Sequence, residues 1–124
     1  MRFVILHHVI HAGEHWDLML ERRGVLLTWQ LAREPVGRKD LPIAAQRIGD
    51  HRMAYLDYEG AVSHDRGFVS RVDEGALEGV EEAVDRLTFE LCGRRLIGRF
   101  QLRRIKADDW SFESVAASLA ASRR

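Results

Sequence analysis

The chain has 124 residues, 46% of them hydrophobic and 31% charged, which is enough apolar material for a buried core and excludes a disordered or fibrous protein. Lys+Arg and Asp+Glu both number 19, so the overall basic footprint common among nucleic-acid binders is absent, and only a local basic patch could serve that role. The single cysteine, Cys92, excludes an internal disulfide framework and a CxxC metal or redox site, and the length fits one domain over residues 1–124.

The opening MRFVILHH is too short an apolar run for a signal peptide, and no stretch approaches the ~18–20 residues that span a bilayer. A cytoplasmic protein without membrane contact is therefore the expectation. Arg2–His8 is predicted as the first strand, followed by a loop over Val9–Glu14. His15–Glu21 alternates strictly, with His15, Asp17, Met19 and Glu21 on one face and Trp16, Leu18 and Leu20 on the other. Arg22-Arg23-Gly24 reads as a turn into Val25–Leu31, making residues 15–31 a hairpin. Residues 34–40 form a loop punctuated by Pro35 and Gly37, Ile43–Ile48 a short strand, and Asp50–Gly60 a turn rich in polar and aromatic side chains. Gly67–Val72, Leu87–Cys92 and Arg95–Ile105 are further strands, with a turn at Gly93 and a bend at Gly98. Leu77–Val84 has the spacing of one or two helical turns. Ser111–Leu119 sets Phe112, Val115, Ala116 and Leu119 on one helical face. Closely spaced short strands with little helix point to an all-β barrel or sandwich with minor helices.

Six histidines are the one compositional excess, and four fall within the first fifteen residues. Residues two apart on a strand face the same way, roughly 6.5–7 Å apart, so His15 and Asp17 hold an imidazole and a carboxylate side by side. A third ligand from His7, His8 or His11 would complete a two-histidine, one-carboxylate face with open positions, suited to manganese, iron(II) or zinc. An HxD pair is also a common solvated strand face. His51 and Tyr55 are candidate proton donors, although their spacing equally fits a turn around a half-buried tyrosine. Arg33, Arg38, Lys39, Arg47 and Arg52 crowd the middle third, and the arginine fork suits phosphate, against a background of ordinary solvated cations.

The string His15-Trp16-Asp17-Leu18-Met19-Leu20-Glu21, followed by Gly24-Val25-Leu26 and Trp29, resembles the 3′-phosphoesterase domain of bacterial DNA ligase D. Asp50-His51 through Tyr55 and on to Asp57-Tyr58-Glu59-Gly60 is similar to a second block of that family. Arg66-Gly67, Val72-Asp73-Glu74-Gly75 and Leu91–Phe100 follow in order, with Trp110 beyond. The resemblance implies a mainly β fold: a small closed barrel of short antiparallel strands, with minor helices and, from the periodicity above, a C-terminal helix. It also implies a Mn²⁺-dependent site that removes a terminal ribonucleoside, and then a 3′-phosphate, from nucleic-acid ends during non-homologous end joining, with a ligase or polymerase as partner.

Carried over residue by residue, the resemblance implies His8, His15 and Asp17 as metal ligands, with one extra residue between His8 and His15. It implies His51 and Tyr55 beside the scissile phosphate, and Arg33 and Arg47 as phosphate contacts. Met19 stands where the family carries an arginine. A lost charged hydrogen bond to phosphate costs about 1.5–3 kcal/mol, equivalent to ~10–100-fold in rate, unless Arg33, Arg47 or Arg52 compensates. The alternatives are a binding module that keeps the barrel but has lost its phosphate clamp, and a metalloenzyme acting on a small phosphoester.

Overall fold

The computed structural model describes residues 1–116, folded as nine strands and two short 3₁₀ turns. The strands are β1 (Arg2–Ile10), β2 (Gly13–Arg22), β3 (Val25–Leu31), β4 (Ile43–His51), β5 (Gly60–Ala61), β6 (Phe68–Ala83), β7 (Arg86–Cys92), β8 (Ile97–Lys106) and β9 (Asp109–Ser114). The 3₁₀ turns cover Arg38–Asp40 and Met53–Leu56. Every pairing is antiparallel. Two meanders, β1–β4 and β6–β9, meet along two seams, β1–β6 and β4–β9, and so close a ring of eight strands. The short β5 pairs with β6 outside that ring. Residues 52–67 connect the two meanders.

Strand parity sorts the apolar residues into two clusters. Phe3 and Ile5 of β1, Leu18 and Leu20 of β2, Trp29 of β3, Phe89, Phe100 and Phe112 belong to a large cluster fed by all eight ring strands, which fills the interior. Val4, Leu6, Met19 and Leu26 project from the opposite face of β1–β3 and pack with Val69 beneath Leu56 and Val62 of the 52–67 connection. The middle of β1 is therefore apolar on both faces, as expected of a strand covered on both sides.

The closed, mainly β architecture agrees with the expectation, and three local expectations do not hold. The loop over Val9–Glu14 shrinks to His11-Ala12, because β1 and β2 stay paired out to Ile10 and Gly13. Leu77–Val84 is strand, part of the 16-residue β6. The ladder with β7 slips between Glu78 and Glu81, and Gly79 takes φ 58°. That bulge brings Leu77 and Val80 to the same core face and so imitates helical spacing. Ser111–Ser114 belongs to β9 rather than to a C-terminal helix: Trp110 and Phe112 alternate into the core between β4 and β8. Residues 117–119 of that expected helix lie outside the described residues. No helix among the described residues is long and apolar enough to cross a membrane.

Candidate metal centre and adjoining cavity

The β1–β2 register places His8 directly opposite His15, and Leu6 opposite Asp17. His15 and Asp17 share a face by strand parity, and His8 joins them from the neighbouring strand. His8 Nδ1 lies 3.1 Å from His15 Nε2 and 3.6 Å from Asp17 Oδ2, and His15 Nε2 lies 3.2 Å from Asp17 Oδ1. One donor atom from each of the three lies within 4.8 Å of the others.

Hydrogen bonds around the cluster orient its rings. His8 Nε2 is 2.7 Å from the carbonyl oxygen of Arg66. A carbonyl only accepts, so Nε2 carries the hydrogen and Nδ1 turns its lone pair toward the cluster. Gln30, opposite Asp17 on β3, brings its amide nitrogen within 3.3 Å of His15 Nε2. Asp17 is 3% exposed, and its Oδ1 has no hydrogen-bond donor. A buried carboxylate oxygen left without a donor is costly. Two imidazole nitrogens and that orphaned oxygen fit a divalent transition-metal ion with open positions. Of the other early histidines, His7 stacks on Trp16 with ring centroids 4.9 Å apart, and the His11 side chain is 89% exposed beside Asp65.

His51 ends β4, and Tyr55 stands on the 3₁₀ turn Met53–Leu56, which the buried Leu56 anchors to the outer apolar cluster. Their rings meet edge to face at 5.4 Å. His51 Nδ1 donates to the Gly49 carbonyl at 3.1 Å, leaving Nε2 as the nitrogen available to a ligand. A cavity of about 310 Å³ brings His8 and Asp17 together with His51 and Tyr55, and Arg52 and Arg66 line it as well. Met19 forms part of its wall, 1% exposed among Val4, Leu6 and Leu26. The position of the family arginine is thus apolar floor.

Arg33 and Arg47, expected as phosphate contacts, do not line this cavity. The Arg33 guanidinium donates to the Pro42 carbonyl at 2.9 Å. Arg47 lies opposite Trp29 in the β3–β4 register, which sets its guanidinium 4.4 Å from the Trp29 ring centroid and 3.5 Å from Asp50. The cations at the cavity come from the 52–67 connection instead. Arg52 was a candidate from its place in the sequence. Arg66 was not; its signal was the adjoining Gly67. With φ 91°, Gly67 lies so close to β1 that a Cβ there would come within 2.0 Å of the Val9 carbonyl oxygen. That close approach is what carries the Arg66 carbonyl onto His8.

The family model of the DNA ligase D 3′-phosphoesterase domain matches residues 6–104, a span that includes all the residues lining the cavity. The chain is 33% identical over 116 residues to the multifunctional non-homologous end joining protein LigD of Mycobacterium bovis, covering 87% of this chain and 15% of that protein. It is 31% identical over 101 residues to the corresponding protein of Pseudomonas aeruginosa, covering 73% of this chain and 12% of that one. The chain thus spans only a small part of the length of these relatives. With most of its length matched by the family model, the chain belongs to the family of DNA ligase D 3′-phosphoesterase domains.

Proposed function

We propose that this protein is a metal-dependent phosphoesterase that heals nucleic-acid 3′ ends in non-homologous end joining. It would remove a terminal ribonucleoside and then the 3′-phosphate left behind. The observation that carries this reading is the convergence of His8 Nδ1, His15 Nε2 and the orphaned Asp17 Oδ1 beside a cavity that also holds His51, Tyr55 and two arginines. Membership of the family and the end-joining relatives agree with it.

In this reading His8, His15 and Asp17 hold the divalent ion, Mn²⁺ by family resemblance. When bound, the ion supplies Lewis acidity to a phosphoryl oxygen. Arg52 and Arg66 offer guanidinium groups to the remaining phosphate oxygens in place of the missing arginine at Met19. The Tyr55 hydroxyl donates to the phosphate and orients it. Water adds its oxygen to phosphorus and loses a proton to solvent, while the bond to the leaving oxygen breaks. Protonated His51, fixed through its Nδ1–H on Gly49, gives its Nε2 proton to that oxygen. The leaving oxygen is the 5′ oxygen of the terminal nucleoside in the first reaction and the 3′ oxygen of the shortened strand in the second.

The test is a Mn²⁺-dependent assay on primer–templates ending in a 3′-ribonucleotide or a 3′-phosphate, with His15→Ala as control. Product from the wild type, and a loss of more than about 100-fold in the variant, is the expected result. The apolar setting of Met19 favours the second reading, a binding module that keeps the ring without the chemistry. Metal binding without product from either substrate would establish it.

A further inference from the structure

A second cavity, of about 330 Å³, adjoins the first and shares Arg52, Tyr55 and Val62 with it. Its remaining walls include Tyr58 and Ser63. Three rings lead from one cavity to the other, each meeting the next edge to face: His51 and Tyr55 at 5.4 Å, Tyr55 and Tyr58 at 5.9 Å. An edge-to-face run leaves ring faces open to a stacking partner. Tyr58 is 39% exposed, although it is one of the larger apolar side chains of the connection. Two of the polar groups nearby are engaged, since the Tyr58 hydroxyl donates to the Ala61 carbonyl and Ser63 Oγ accepts from Arg66, while Arg52 and Tyr55 lie on the side shared with the first cavity. The cavity therefore offers aromatic surface, with few groups left to read the edge of a ligand.

We propose that this second cavity receives the base of the terminal nucleoside, stacked against Tyr58, while its 5′ phosphate occupies the first cavity. The proposal rests on the phosphoesterase reading and adds to it a subsite for the base of the leaving nucleoside. Continuity carries it, because Tyr55 and Arg52 border both spaces and a group leaving the phosphate has an aromatic-lined space immediately beside it. Stacking without edge readout also implies tolerance of base identity, since every base has a π face. An enzyme that trims whatever nucleotide ends a strand needs that tolerance.

The experiment compares wild type, Tyr58→Ala and Tyr58→Phe by equilibrium binding, with metal withheld by a chelator so that no turnover occurs, of labelled primers ending in a ribonucleotide, an abasic ribose or a 3′-phosphate. Turnover of the same primers in Mn²⁺ is followed in parallel. In the wild type the terminal base is expected to tighten binding by about 5- to 100-fold over the abasic end, equally for purine and pyrimidine. Tyr58→Ala removes that increment and leaves affinity for the 3′-phosphate end unaltered; Tyr58→Phe, which keeps the ring, retains it. Equal weakening on all three ends, or an increment that survives in Tyr58→Ala, overturns the proposal. Failure of the phosphoesterase reading shows separately, as absent turnover by the wild type, and the binding comparison still decides the base site.

Discussion

Asp17 is the residue whose environment is least explained by the protein alone: it is almost completely buried, lies beside two imidazoles, and keeps one oxygen without a donor. Asp17→Asn retains the shape and removes the charge. In the presence of a chelator its thermal midpoint is expected to equal or exceed that of the wild type, because an unpaired buried charge has been removed. With Mn²⁺ added, the wild type should gain stability in proportion to ligand occupancy, and Asp17→Asn should lose most of that gain. Thermal melts with and without metal check both statements. An Asp17→Asn melt that rises with Mn²⁺ as steeply as the wild type would remove the carboxylate from the ligand set. The His15–Asp17 pairing was legible in the sequence because parity on a strand needs nothing beyond local periodicity. The choice of His8 over His7 and His11 came from the family resemblance and not from periodicity, since it depends on how β1 registers against β2. The family resemblance singles out Arg33 and Arg47, with Arg52 as a substitute, and leaves Arg66 aside. What separates them is which cations the 52–67 connection carries over the outer face of the ring.

Among the elements, the contact between that connection and β1 bears most directly on the chemistry. Gly67→Ala forces a Cβ toward the Val9 carbonyl at a φ that L-residues seldom adopt, so the loop must lift and take the Arg66 carbonyl away from His8 Nε2. Metal affinity is expected to fall about 10- to 100-fold, the usual effect of losing the partner that orients a histidine ligand. Gly79→Ala is the matched control. Its φ of 58° imposes a similar backbone strain of about 1–2 kcal/mol, but nothing lies within 4 Å of the added carbon. It should lower stability and leave Mn²⁺ affinity unchanged. Calorimetric titration of both variants checks the pair, and equal losses of affinity would mean the effect is general loosening. Gly79 also shows why the β6 region misled periodicity. A bulge adds a residue to one strand, and the sequence records only the shifted alternation. At the far end Ser111–Ser114 failed for a different reason. Tertiary pairing with β4 and β8 decided a segment whose local pattern was ambiguous.

For the whole molecule, charge balance and closure set the terms of substrate recognition. Lys+Arg equals Asp+Glu across the chain, and the cations that line the proposed phosphate cavity are Arg52 and Arg66. Two arginines meeting one phosphate release few counterions. The slope of log affinity against log salt is therefore expected to be shallow, roughly −0.7 to −0.9 for the one phosphate neutralised. Anisotropy titrations of a labelled 3′-phosphate primer over a salt series measure it. A slope several times steeper would require a basic track elsewhere on the surface. The mainly β class and the closed architecture were legible from strand spacing together with the family resemblance. The division into an inner and an outer apolar layer was not, because β1 reads as one continuous apolar run until both of its faces are seen to be covered.

The connection between the two meanders has a consequence for how the site comes into being. His8, His15 and Asp17 belong to the first meander, whereas Arg52, Tyr55 and Arg66 ride on the stretch that bridges to the second. That stretch is held at one end by β4 and at the other by β6, whose own position depends on the β1–β6 seam. The ligand cluster is thus a local product of one hairpin, while the cavity above it exists only after the two halves have docked. Partial opening along that seam would uncover the proposed phosphate pocket while the hairpin keeps His8, His15 and Asp17 together. Substrate capture and metal retention would then answer to different parts of the molecule's stability.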